Sequence, residues 1–257
     1  MTNTTPILSF LNPLGTSAPI WWMTVFCAFI IGLNKSGLKG LSMITIPLLA
    51  HAYGGMTSVA ILLPFLIVGD AYALCCYGKS IQFKHIIQLF PWALLGILIA
   101  TFTGKHIDDT TFRRIIGIVI LLCMVGMLYR EYSQKSNIPH HPIVIKLFGL
   151  IGGFGTMIGN AAGPIFNLYI LGMRLPKISF IATGATFYIT MNIIKFPIQL
   201  LYWKSITPDT MQLNAVCLPA LLIGAILGKR LTSYIPEKPF SAFVMVMTLL
   251  SAIFMIW

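Results

Sequence analysis

The chain has 257 residues, 57% of them hydrophobic and only 9% charged, with a mean hydropathy of +0.88. No soluble domain of this length buries that much apolar surface in one core, so the solvent for most of the chain is lipid. The formal charge of +11, from 17 basic and 6 acidic residues, would suggest nucleic acid in a soluble protein. Here the basic residues lie mainly in short loops between apolar segments, where they set topology, and no nucleic-acid partner is expected.

In chain order, no Lys or Arg precedes Lys35, which already lies inside the hydrophobic region. The amino terminus lacks the basic region of a cleavable signal and is expected to be retained. The apolar runs number about ten: 18–33, 41–52, 57–78, 87–103 and 114–129, then 144–158, 164–173, 178–201, 210–227 and 240–257. Between the two sets stands the hydrophilic stretch REYSQKSNIPHHP, Arg130 to Pro142. The chain therefore divides into a first membrane repeat of four to five segments (1–130), a linker (131–143) and a second membrane repeat (144–257).

A crossing helix takes about 20 apolar residues. The first two runs of each half fall short of that, being broken at NKSGLKG (34–40) and at GNAAGP (159–164). The pattern predicts half-helices or a re-entrant hairpin, and the number of crossings turns on how the broken segments are counted.

The halves answer each other at a shift of about 124 residues. Gly32 and Gly40 fall on Gly155 and Gly163, Lys79-Ser80-Ile81 on Lys204-Ser205-Ile206, and Gly104-Lys105 on Gly228-Lys229. Internal duplication is the simplest cause. An odd number of runs per copy turns the second copy upside down, so the expected fold is all-α and polytopic, with two inverted pseudo-repeats and broken half-helices at the centre.

Loop charge supports that reading. With the amino terminus outside, the cytoplasmic loops hold Lys35, Lys39, Lys79, Lys84, Arg130, Lys135, Arg174, Lys177, Lys229, Arg230 and Lys238, against Lys105, Arg113, Arg114 and Lys204 outside. Setting aside Lys35 and Lys39, which belong to a broken segment, keeps the sign of the bias.

The five cysteines, Cys27, Cys75, Cys76, Cys123 and Cys217, all fall in apolar runs, are odd in number and lack metal-site spacing. They read as buried thiols rather than a disulfide framework. The histidines at 51, 85, 106, 140 and 141 sit at run ends or in linkers, away from acids at ligand spacing, so no metal or other cofactor is expected.

Of the six acidic residues, Asp108, Asp109, Glu131, Asp209 and Glu237 lie in linkers or at segment ends, and Asp70 alone lies deep in a run. A charge at the bilayer centre costs about 2.5–3.5 kcal/mol, so Asp70 calls for a partner. The other deep charge is Lys195, in TMNIIKFP, and the local offset that matches Lys79 with Lys204 matches Asp70 with Lys195. Two readings are open: a central pair in which Lys195 meets an anion while Asp70 exchanges a proton, or a fixed salt bridge holding the halves together.

The broken segments supply the second candidate site. Chain breaks survive in lipid only where they are buried in protein or line a cavity, and a helix that restarts there exposes free N–H groups that attract anions. Ser36 and Gly37 are placed to lead into a second half-helix, with Lys35 and Lys39 adding charge; Asn160 is placed to cap and Pro164 to open the helix that includes Gly163. Against this, Gly155, Gly159 and Gly163, four residues apart, suit close helix packing without any ligand. Asn192, Thr183, Thr186 and Thr190 can bond an oxyanion or simply a neighbouring carbonyl.

The segments GLNKSGLKGLSMITIPLLA, LPFLIVGD ending at Asp70, GGFGTMIGNAAGPIFNLYIL and ATGATFYITMNIIKFP together resemble the sulfite exporter TauE/SafE family over nearly the whole chain. That resemblance implies a bacterial inner-membrane permease, multi-pass, moving sulfite, organosulfonates or related sulfur and carboxylate anions without ATP.

The residues agree with a secondary carrier working by alternating access, since there is no P-loop. The alternatives are an anion channel, which would show an open lined pore, and a non-transporting membrane scaffold. A membrane enzyme needs a nucleophile and base or a metal cluster at depth, and one Asp without a deep His supplies neither. The expected partners are a small anion, lipid and protons; a homodimer is compatible with the sequence.

Overall fold

The computed structural model describes residues 11–39, 41–103, 142–160 and 162–256, with 110, 114, 118 and 121 as isolated positions. Gly40, Gly104, Lys105, His106, Asp108, Asp109, Arg113, Cys123, Arg130, Glu131, Lys135, His140 and His141, with most of the run 114–129 and of the linker, lie outside the described residues.

The described chain is built from helices: α1 (Ala18–Ser36), α2 (Thr45–Tyr53), α3 (Gly55–Tyr77), α4 (Phe83–Thr103), α5 (Pro142–Gly159), α6 (Ala162–Gly172), α7 (Lys177–Pro197), α8 (Pro208–Tyr234) and α9 (Glu237–Ile256). Short 3-10 turns at Leu41–Met43 and Gly78–Ser80 join them, and α7 runs into a π-turn at Ile198–Tyr202. Six of the described helical segments are long and apolar enough to cross a membrane: Ala18–Ser36, Gly55–Ser80, Phe83–Thr103, Pro142–Gly159, Lys177–Tyr202 and Pro208–Tyr234. The protein is an all-α polytopic membrane protein.

Local chemistry places the helix ends where the sequence punctuates. Thr207 caps α8 through a reciprocal pair of bonds with Thr210, and Pro208 occupies the first turn, where its missing N–H costs nothing. α1 ends at Ser36, ahead of Gly37, and α5 at Gly159, ahead of Asn160. The helix after each break is short, nine residues in α2 and eleven in α6.

Three helix pairs position the site. Glycines let α1 run parallel to α8: a Cβ at Gly32 would strike the Leu221 carbonyl oxygen, and one at Gly37 would strike the Thr232 hydroxyl. Likewise α5 runs parallel to α4, with Gly149 against Leu89 and Gly153 against the Ala93 carbonyl. Backbones approach this closely only where side chains are absent, which is how small residues drive association in lipid. The glycines that carry the α4–α5 contact thus include Gly96 of α4, against the Leu150 carbonyl, and Gly149 and Gly153 of α5, a different stripe from the expected Gly155, Gly159 and Gly163.

The third pair, α3 and α7, is antiparallel. The Gln82 N–H just beyond α3 donates to Thr183 near the start of α7 at 3.0 Å, Asp70 meets Asn192, and Ala60 and Leu63 share a cluster with Phe196 and Ile206. Around these pairs sit two apolar cores, one built on Phe166, Tyr169 and Phe187, the other on Cys27, Ile31, Phe65 and Leu221.

Cys27, Cys75, Cys76 and Cys217 are free thiols, but only Cys27 and Cys217 are buried. Cys75 is exposed, because α3 turns that face outward; position within an apolar run does not distinguish a core-facing thiol from a lipid-facing one.

Candidate functional site

Four charged side chains, Lys35, Lys39, Asp70 and Lys195, are buried among the described residues, each at 4% exposure or less. They converge where α1 and α5 end. The Lys35 ammonium stands 2.7 Å from Asp70 Oδ2, the single ion pair among the described residues, and lies 4.6 Å from the centroid of the Tyr188 ring. Lys195 instead donates to three neutral oxygens: Thr156 Oγ1 at 3.1 Å, Asn160 Oδ1 at 2.5 Å and Asn192 Oδ1 at 3.2 Å. Asn192 closes the circuit by donating to Asp70 Oδ2 at 3.4 Å.

This corrects the expected Asp70–Lys195 pair. The partner of Asp70 is Lys35, from the break in its own half of the chain, and Lys195 reaches Asp70 only through Asn192. The physical reason is visible in the numbering: Lys35 and Asn160 stand 125 positions apart, as do Asp70 and Lys195. In each half the residue at the break bonds the polar residue of the following long helix, Lys35 to Asp70 and Asn160 to Lys195, with charge and donor roles exchanged.

A cavity of about 40 Å³ opens at this junction. Asn34 and Lys35 reach it from α1, Lys39 and Ser42 from the break, Asn160 from the end of α5, and Gly163 and Asn167 from the first turns of α6. Tyr188 and Asn192 complete it from α7. The Tyr188 hydroxyl donates to the Gly163 carbonyl at 3.2 Å and to Asn167 Oδ1 at 3.3 Å, fixing its ring beside Lys35. The Lys39 ammonium donates to the Lys35 carbonyl at 3.2 Å.

Of the residues singled out from sequence, Lys35, Lys39, Asn160, Gly163 and Asn192 line this cavity. Lys195 stands one layer behind, holding Thr156, Asn160 and Asn192, all three of them on the wall. Ser36 and Gly37 are elsewhere: the Ser36 hydroxyl back-bonds to the Gly32 carbonyl at 2.9 Å and Gly37 packs on Thr232, so both serve the α1–α8 contact. Asn160 has a left-handed backbone (φ 53) and spends its side chain on Lys195 and on the Val59 carbonyl rather than on a cap.

Thr186 and Thr190 bond the carbonyls four residues before them, and Thr183 accepts from Gln82. None of the three lines the cavity. Sequence reasoning missed Asn34, Ser42, Thr156, Asn167 and Tyr188. For Tyr188 the signal was present, since it precedes Asn192 by one helical turn and so shares its face.

Three buried ammonium positions against one carboxylate leave an excess of two positive charges when all are ionised. At about 2.5–3.5 kcal/mol for each charge at membrane depth, that excess is costly unless something negative completes it. The profile of the sulfite exporter TauE/SafE family matches residues 24–255.

The chain belongs to the sulfite exporter TauE/SafE family.

As a TauE/SafE protein it is a multi-pass membrane protein of a family of anion transporters rather than enzymes. The match runs through the whole of the site, from Asn34 to Asn192. None of the curated proteins and none of the solved structures compared with the chain matches it.

Proposed function

We propose that this TauE/SafE protein is a secondary carrier for compact oxyanions of the sulfite class, with the 40 Å³ cavity as its central site. The observation that carries the reading is the buried Lys39 ammonium on a cavity wall where no carboxylate pairs with it among the described residues. An anion entering there supplies the missing negative charge. Lys35 and Ser42 add donors around it, Tyr188 forms the wall beside Lys35, and Lys195 holds the wall amides in place.

The size supports the compact end of the anion range. One water-sized group takes roughly 10–15 Å³ on this measure, so the cavity holds about three such groups, which suits the oxygens of one sulfite better than a two-ended sulfonate-carboxylate.

Alternating access rests on the arrangement of the halves, taken as 1–130 and 144–257. The helices α1, α3 and α4 correspond in order to α5, α7 and α8. The cross-pairs α1–α8 and α4–α5 are both parallel, and the self-corresponding pair α3–α7 is antiparallel. Inverted repeats around a fixed midplane site produce such a pattern, and rocking one against the other opens the cavity to each side in turn. Asp70 acts as the fixed counter-charge of Lys35, and coupling to protons is a separate property, read by the pH dependence of flux.

Proteoliposome flux tests the function. Sulfite should exchange across the bilayer at carrier rates, sulfoacetate should compete poorly, and Lys39→Met should abolish exchange while the protein stays folded. Unsaturable flux at channel rates, or equal competition by the larger anion, would contradict the reading.

A further inference from the structure

A second cavity, of about 390 Å³, lies at the seam of α3, α7 and α8, apart from the central site. Lys229 and Arg230 reach it from α8, the phenols of Tyr72 and Tyr77 from α3, and Thr232 and Ser233 complete the polar wall. Two of its lining residues, Tyr77 and Thr232, contact the end of α1. The Tyr77 hydroxyl donates to the Ser36 carbonyl at 3.1 Å, one residue from the Lys35 that lines the central cavity, and Thr232 packs on Gly37. The Lys177 ammonium ties this end of α8 to α7 by donating to the carbonyls of Thr232 at 2.6 Å and Ile235 at 2.5 Å. The end of α1 thus touches residues of both linings, Lys35 on the central cavity and, through Ser36 and Gly37, Tyr77 and Thr232 on the second.

We propose that this outer cavity is a second oxyanion site, which collects the anion and delivers it to the central one. The inference rests on the central cavity being the carrier site. The Arg230 guanidinium offers a planar fork of N–H donors that matches an oxyanion, and Lys229 adds a point charge in the same recess. Two cations in a walled pocket raise the local anion concentration and the rate of entry, an effect that salt screens. A compact oxyanion is presented both by the transported anion and by the phosphate headgroup of a lipid, and the test separates them.

The double variant Lys229→Gln/Arg230→Gln removes only exposed side chains, so its fold is retained. In vesicles of neutral lipid at low ionic strength, sulfite flux by the variant should show a half-saturation raised roughly tenfold, with the maximal rate kept. The difference from wild type should shrink at high salt. A small share of phosphatidic acid in the vesicles tells the occupants apart through the ratio of the two half-saturations: unchanged for a site holding the transported anion, collapsing to unity for a headgroup site. Equal half-saturation of variant and wild type in neutral lipid at low salt, with normal flux, overturns the outer site and leaves the central one standing. Absence of oxyanion flux in the wild type overturns both.

Discussion

Replacing Asp70 by Asn isolates the energetics of the site. The substitution keeps the shape of the side chain and deletes its charge, leaving the Lys35 ammonium, at 4% exposure, with no counter-ion at 2.7 Å. Breaking a buried pair by removing one partner costs about 3–5 kcal/mol, because the surviving charge stays desolvated. Removing both members is far cheaper, so Lys35→Met/Asp70→Asn should recover most of that loss. The assay is unfolding in mixed micelles, followed by circular dichroism, for wild type, the two single variants and the double. Non-additivity of about 2 kcal/mol or more is expected, since contacting residues couple. A loss below about 1 kcal/mol for Asp70→Asn, of the size seen for exposed pairs, would refute the buried pair.

The remaining predictions concern single positions. Lys195→Gln removes the donor that holds Thr156, Asn160 and Asn192, so anion affinity should fall even though Lys195 is off the cavity wall; unchanged affinity by titration would remove it from the site. Gln199 is fully buried in the π-turn, with neither end of its amide partnered among the described residues, so Gln199→Leu should raise stability by about 1–3 kcal/mol in the same unfolding assay, and a loss would show that the amide has a partner. Gly153→Ala drives a methyl into the Ala93 carbonyl and should destabilise by about 1–3 kcal/mol, and Gly54→Ala, where nothing crowds a Cβ but the backbone (φ 80, ψ 164) is one that only glycine adopts readily, should cost about 1–3 kcal/mol through the backbone alone.

Particular residues show how much of the fold and the site was legible in the sequence. The long spans and the two breaks were legible because lipid forces every apolar run to declare its length, and GLNKSGLKG and GNAAGP interrupt that signal sharply. Asp70 and Lys195 stood out because charge is rare at such depth. The identity of their partners was not legible from depth alone: two charges in equivalent places invite pairing, yet in each half the break contacts that half's own long helix. The 125-residue offset that linked Asp70 with Lys195 also links Lys35 with Asn160, so the Lys35–Asp70 contact has its counterpart in Asn160–Lys195, but the offset pairs equivalent positions and names neither contact. Ser42, Thr156 and Asn167 were hidden for a different reason. Small polar residues in apolar helices usually bond a carbonyl one turn back, as Thr186 and Thr190 do, so only packing reveals which of them face a cavity.

The central claim is that a compact oxyanion sits in the 40 Å³ cavity against Lys39. Thermal unfolding of purified wild type and Lys39→Met with increasing sulfite tests it directly, because a ligand that binds only the folded protein stabilises it by about 2.7 kcal/mol at a hundred times its Kd. The account predicts a saturable rise in Tm for the wild type, a smaller one for sulfoacetate, and none for Lys39→Met. An equal rise in both proteins, or no rise in either, would contradict it.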